Sequence, residues 1–240
     1  MTQVFFFIFF GCLAIYFLLP IVVKRIICLK FLSTVKKTGL SCLTFDDGPN
    51  PETTPEILEL LKEADVKATF FLIGNNVQKY PELADQIFLQ GHEIGEHSFE
   101  HSHAWKSDPI RTAIDLTRGN RTISKYRSPG EKISFRPPYG KVNLITLLYI
   151  LFSKRRVVFW NVDPKDYGHE SSKVVSQYVT HRLLPGSVIL LHDGRLNSSS
   201  DSNVTVSAVR SILKEAAHRN LRLTSIREVL NSNTIKRLND

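Results

Sequence analysis

Cysteine is scarce. The 240 residues hold three, Cys12, Cys28 and Cys42, with no Cys-x-x-Cys pair, which excludes a disulfide framework and a thiolate metal site. Acid is absent from the first 37 residues, where Lys24, Arg25, Lys30, Lys36 and Lys37 all fall. Those five leave only +3 of the net +8 for the rest of the chain, so the basic pI is no sign of a nucleic-acid partner. No internal repeat is visible. At 42% hydrophobic and 22% charged, the composition excludes disorder and suffices for one α/β domain with a sizeable core.

A long apolar run is present once. Val4 to Val23 carries no charge, and at about 1.5 Å per residue it is long enough to cross about 30 Å of hydrocarbon. The basic start and small-residue cleavage site of a signal peptide are missing. Residues 1–23 are therefore expected to be a single-pass transmembrane anchor, 24–38 a basic juxtamembrane connector, 39–230 the folded domain and 231–240 a frayed tail. All the flanking positive charge follows the span, so the positive-inside rule favours a cytoplasmic domain. Lys36 and Lys37 can also rest on anionic headgroups on either side. Leu144 to Phe152 is apolar all round, too short to span, and followed by Lys154, Arg155 and Arg156. Two readings stay open for it: a helix packed in the domain core, or one dipping into the bilayer beside the anchor.

Beyond Gly39, short apolar runs alternate with amphipathic stretches in the manner of βα units. Thr54-Pro55-Glu56 predicts an N-cap with proline at the first helical position, opening a helix to about Asp65. Strands are expected at 67–73, 92–96, 131–135, 156–160, 187–191 and 221–224, and helices at 80–90, 109–126, 171–184 and 205–219. Repeated βα units with polar residues at strand ends suggest a barrel whose site lies at its C-terminal face.

Those strand ends carry the chemistry. Thr44-Phe45-Asp46-Asp47-Gly48-Pro49 closes an apolar strand with two adjacent carboxylates, and the twist into the loop lets both reach one cleft, one holding a metal while the other handles a proton. A polar turn is the alternative. His97 and His101 fall on one side if the chain turns helically there, and two imidazoles with one carboxylate make a three-ligand divalent site with a position left open. In Arg136-Pro137-Pro138-Tyr139-Gly140, two prolines fix the backbone between a guanidinium and an aromatic ring. Arg136 can pair with a carboxylate, and the Tyr139 N–H can face a developing oxyanion. His192 lies where an apolar strand meets a loop, a common place for an acid/base group, and Leu190 shares its face as a wall for an apolar pocket. Of Asp163 and Asp166, either can orient an imidazole.

Together these five stretches, in this order, resemble the polysaccharide deacetylase family (carbohydrate esterase family 4), the domain also found in the rhizobial nodulation protein B and in chitin and peptidoglycan deacetylases. The match runs from about Leu43 to Leu230. The resemblance implies a distorted (β/α) barrel and metal-dependent removal of acetyl groups from N-acetylated sugars such as chitooligosaccharide, peptidoglycan or a lipid-linked glycan. It implies one divalent ion, zinc or else cobalt, on Asp47, His97 and His101. Asp46 would be the general base held by Arg136, the Tyr139 amide would contribute to the oxyanion hole, and His192 would be the general acid tuned by Asp166. Tyr139, Tyr167 and Leu190 would face the substrate. Two departures stand out. Tyr167 occupies a position where the family often has Trp, and Leu144 to Phe152 is more apolar than the helix usual there, which hints at a membrane-held glycan. A catalytically silent glycan-binding protein on the same barrel and a hydrolase of non-sugar amides are the alternatives.

Overall fold

The strand that opens the domain, β1 (Ser41–Asp46), is buried at every position, as suits the centre of a parallel sheet covered on both faces. A computed structural model of the chain describes residues 2–127, 131–153, 155–168, 171–194 and 203–239. The other strands are β2 (Thr69–Leu72), β3 (Glu93–Glu96), β4 (Ser134–Phe135), β5 (Arg156–Val157), β6 (Val188–His192) and β7 (Leu223–Thr224). The helices are α1 (Thr2–Thr38), α2 (Thr54–Glu63), α3 (Gly74–Lys79), α4 (Pro81–Leu89), α5 (Pro109–Ile123), α6 (Leu144–Phe152), α7 (Ser172–Arg182), α8 (Asn203–His218) and α9 (Ile226–Asn239).

The sheet runs β5-β4-β3-β2-β1-β6, with β7 paired to β1, and every pairing is parallel. It is a curved, incomplete barrel. After β5 the chain crosses towards β6, where an isolated bridge joins Val162 to Ile189. Register sets the site, because Asp46 pairs with His192 on one side and with Phe71 on the other, while Glu96, next to His97, pairs with Phe135, next to Arg136. All four motif residues thus leave the sheet at its C-terminal edge.

Phe45, Phe70, Ile57, Leu61 and Ile189 belong to the main apolar core. The Thr54 side chain does not cap α2. It donates to the Asp193 carboxylate at 2.7 Å, so this threonine ties α2 to the turn after β6, a bond that local sequence gives no sign of. The helix α3 is not among the helices expected from the sequence. Residues 231–239, expected to fray, continue α9.

The expected membrane anchor does not stand. Among the described residues no helix is long and apolar enough to cross a membrane, which also removes the basis for a single-pass location and for a cytoplasmic side. The run Val4 to Val23 is part of one helix that continues through the basic residues to Thr38. One face of its later turns packs on protein, Phe31 and Val35 with Ile226 and Val229, and the partly buried Val23, Ile27 and Cys28 on Leu147, Ile150 and Phe159, while Ile26 and Leu29 are exposed. The second membrane contact falls with the first. Leu147 and Ile150 of α6 pack with Phe135 and Val157 in that same cluster, as the core reading of Leu144 to Phe152 has it, while Leu148, Leu151 and Phe152 on the other face are exposed.

Candidate active site

At the end of β1 the chain takes a left-handed step at Asp47, φ 74°, a conformation that costs energy for a non-glycine residue and collects at functional sites. That step breaks the strand alternation, so Asp46 and Asp47 both line one cleft. Two glycines allow the β1 and β6 turns to cross. A Cβ on Gly194 would collide with the Asp47 carbonyl oxygen, and one on Gly48 with the Asp193 carboxylate.

His97 follows β3, and its Nδ1 donates to the Arg136 carbonyl oxygen at 2.7 Å. The carbonyl can only accept, so the Nε2 lone pair is left facing the aspartates. His101 is delivered by a tight turn with φ 60° at Ser98 and 57° at His101. The Asp115 carboxylate on α5 holds that turn, accepting from the N–H groups of Phe99, Glu100 and Ser102 at 3.0, 2.6 and 3.3 Å. His97 Nε2 and His101 Nε2 lie 3.5 and 3.3 Å from the same Asp47 oxygen, and ligand atoms of the three residues fall within 4.8 Å of one another. That oxygen, Oδ1, is buried without a hydrogen-bond partner. Burial holds His97 and His101 down at about 3, hence neutral and able to ligate, and burial pushes Asp47 up to about 7. A buried cluster with two lone pairs and a carboxylate converging on one another fits a divalent cation in its donor set and its charge.

Asp46 accepts from Arg136 Nη1 at 2.6 Å, and the same nitrogen donates to Thr44 at 2.9 Å. The guanidinium is fully buried, with Phe71 4.2 Å from it. Burial pushes the Asp46 carboxyl above its ordinary range and Arg136 pulls it back. Across the cleft, His192 Nδ1 lies 2.7 Å from Asp166 Oδ1, and Asp166 Oδ2 accepts from the His192 N–H at 2.8 Å and from Thr205 at 2.9 Å. Burial alone would lower the imidazole. Asp166, then Asp47 and Asp46, hold it up at about 9.

The cleft holds about 390 Å³. All the expected site residues meet in it or directly behind it: Asp46, Asp47, His97, His101, Tyr139, Tyr167, Leu190 and His192 line it, with Arg136 and Asp166 supporting from behind. The choice between Asp163 and Asp166 falls to Asp166. Asp163 lines the cleft and accepts from the Lys165 N–H. The Tyr167 ring stands edge-on to His192 at 4.9 Å, and Tyr139, φ 55°, lies 4.5 Å from His101. Trp160, Asp115 and Thr205 were not anticipated as part of the site. Trp160 ends an apolar strand and was legible as a candidate, but nothing local marks an aspartate or threonine inside a helix as the partner of a distant motif.

A parallel α/β sheet presenting this arrangement at its strand ends is the site of a hydrolase. The family model for polysaccharide deacetylase matches residues 34–151. The chain is 34% identical over 190 residues, 78% of its length and 86% of the relative's, to a peptidoglycan-N-acetylglucosamine deacetylase of Bacillus cereus. It is 34% identical over 152 residues, 63% of its length and 72% of the relative's, to a chitooligosaccharide deacetylase of Azorhizobium caulinodans. The solved structure of peptidoglycan deacetylase PdaC from Bacillus subtilis superposes with a TM-score of 0.70 at 30% identity, over 82% of this chain and 92% of that one. The chain belongs to the polysaccharide deacetylase family.

Proposed function

We propose that this chain hydrolyses the acetamide of N-acetylated sugars, with Asp47, His97 and His101 holding one divalent cation. The observation that carries the reading is the convergence of those three ligands on a buried carboxylate oxygen that no hydrogen bond satisfies. Zinc is the metal for which two imidazoles and one carboxylate form an ordinary catalytic set, and cobalt suits the same donors. When bound, it supplies Lewis acidity that acidifies a water and polarises the acetamide carbonyl.

The chain's own groups do the rest. Asp46, oriented by Arg136, takes the proton of the attacking water. The Tyr139 backbone N–H faces the oxyanion. His192, kept protonated by Asp166, gives a proton to the departing sugar amine, and acetate leaves. Leu190 and Tyr167 line the apolar side of the cleft, against which the acetyl methyl packs. The curved parallel sheet, with Val162 bridged to Ile189 of β6, supports reading the fold as a distorted (β/α) barrel. Peptidoglycan and chitooligosaccharide, the substrates in the relatives' names, are the glycans to try first.

The test is acetate release from N-acetylglucosamine oligomers and peptidoglycan fragments, abolished by a chelator and restored by zinc or cobalt. Tight glycan binding without acetate release by metal-replete protein would instead mark a silent binding protein. Equal turnover of simple acetamides would mark a hydrolase not directed at sugars.

A further inference from the structure

The half-exposed Tyr139 ring at the cleft mouth does not end the aromatic surface there. The His103 ring lies 4.9 Å from it, and the Trp105 ring lies 6.3 Å from His103. Trp105 is 41% exposed, yet it is pinned. Its Nε1 donates to the Val142 carbonyl oxygen at 3.1 Å, and its backbone N–H to His103 Nδ1 at 3.2 Å. An indole held rigid with a face left to solvent offers stacking area at little ordering cost, which is how amphipathic ligands such as sugar rings are gripped.

The charge beside this ledge is positive. Lys141 Nζ is 4.4 Å from the Trp105 ring centroid, and exposed Lys106 follows Trp105 in the chain. Lys24 of α1 stands over Phe159 at 5.3 Å. It is near enough to Lys141 that, after burial, the second ammonium holds it below its ordinary range. Among the described residues none of these three lysines has a carboxylate within ion-pair distance. The nearby acids are occupied: Asp108 caps α5, and Glu100 pairs with Arg111 and Arg118.

We propose that Trp105, His103 and Lys141 form a second sugar subsite, which takes the pyranose next to the one being deacetylated and selects a ring bearing an anionic substituent, a carboxylate or a phosphate ester. The subsite rests on the deacetylase reading of the cleft, since Tyr139 joins the two. The aromatic faces hold the ring, and Lys141 reads the anion as a point charge beside Trp105.

The probes are N-acetylglucosamine, its neutral tetramer, and tetramers carrying a carboxylate ether or a phosphate ester on alternate rings. Wild type is expected to prefer an anionic tetramer in kcat/KM, a preference that shrinks with added salt. Trp105→Ala is expected to lower the tetramer-to-monosaccharide ratio of kcat/KM about tenfold, with Trp105→Phe recovering most of it. Lys141→Met is expected to remove the anionic preference and Lys141→Arg to keep it, and the better of the two anionic arms names the substituent. A Trp105→Ala variant that affects monosaccharide and tetramer alike, or a Lys141→Met variant that keeps the preference, overturns the subsite. If wild type releases no acetate from any probe, the deacetylase reading falls. The ledge is then decided by calorimetry with zinc-loaded protein: anionic-tetramer binding weakened by Trp105→Ala supports it, and unchanged binding overturns it.

Discussion

Asp46 and Asp47 are neighbours in sequence with opposite surroundings. One is paired with a buried guanidinium, the other faces two neutral imidazoles. Asp46→Asn keeps the shape and the acceptor towards Arg136 but loses the base, so turnover is expected to fall about 10²–10⁴-fold while zinc content, read by elemental analysis, stays at the wild-type level. Asp47→Ala is expected to lose both. The His192 pair makes a prediction with a sign. An imidazole raised to about 9 acts as an acid while protonated, so activity is lost as pH rises through that value or, with a dication near, somewhat below it. Asp166→Asn removes the charge that opposes burial. The alkaline limb of the kcat profile is therefore expected to move towards neutral pH, whereas a purely structural Asp166 would lower kcat without moving the limb. The same pair adds stability that is fully present below the ordinary imidazole range, about 6.5, and is lost as pH rises through about 9.

Elements place these residues, and much of that placement was legible. A strand of apolar residues ending in Asp-Asp-Gly-Pro, His-Asp-Gly or Arg-Pro-Pro announces a strand end, and strand ends of parallel sheets share one edge, so Asp46, His97, Arg136 and His192 were predictable as one site. What holds the edge together was not, because side-chain bonds between residues distant in sequence leave no periodicity. Asp115 is the clearest case: it sits within the pattern of an amphipathic helix, yet it closes the turn that delivers His101. Asp115→Ala is expected to weaken zinc binding about 10–100-fold, the range seen when supports of metal ligands are removed. Asp115→Asn, which keeps an acceptor oxygen, is expected to recover part of it. Equal zinc affinity in wild type and Asp115→Ala, measured by competition with a chromophoric chelator, would show that the turn holds itself. Gly194 argues the same way from sterics. Its missing Cβ leaves room for the Asp47 carbonyl, so Gly194→Ala must push the β1 and β6 turns apart, and loss of zinc affinity together with a lowered melting temperature is the expected outcome.

For the molecule as a whole, the question is what α1 contributes. Hydrophobicity read along the chain cannot distinguish turns covered by the domain from turns whose apolar side chains stay exposed, as those of Phe6, Phe10, Ile15, Leu18 and Val22 do, which is why the turns after Val23 read as a mere connector. The packing separates the two. Phe31 and Val35 are buried among Cys42, Val188, Ile226 and Val229, and Asn143 Nδ2 donates to the Tyr16 hydroxyl at 3.3 Å, so the helix bridges α6, β5 and α9. Full burial of a side chain of this size contributes about 1.5–3 kcal/mol, and total stabilities are about 5–15 kcal/mol, so these turns carry a substantial part of the fold. A flexible tether would carry none. Phe31→Ala is therefore expected to destabilise the protein by about 3–5 kcal/mol in urea unfolding, with activity retained below the transition because Phe31 is not among the residues lining the cleft. An unchanged urea midpoint in Phe31→Ala would return α1 to the status of a tether and leave the sheet to hold its own edge.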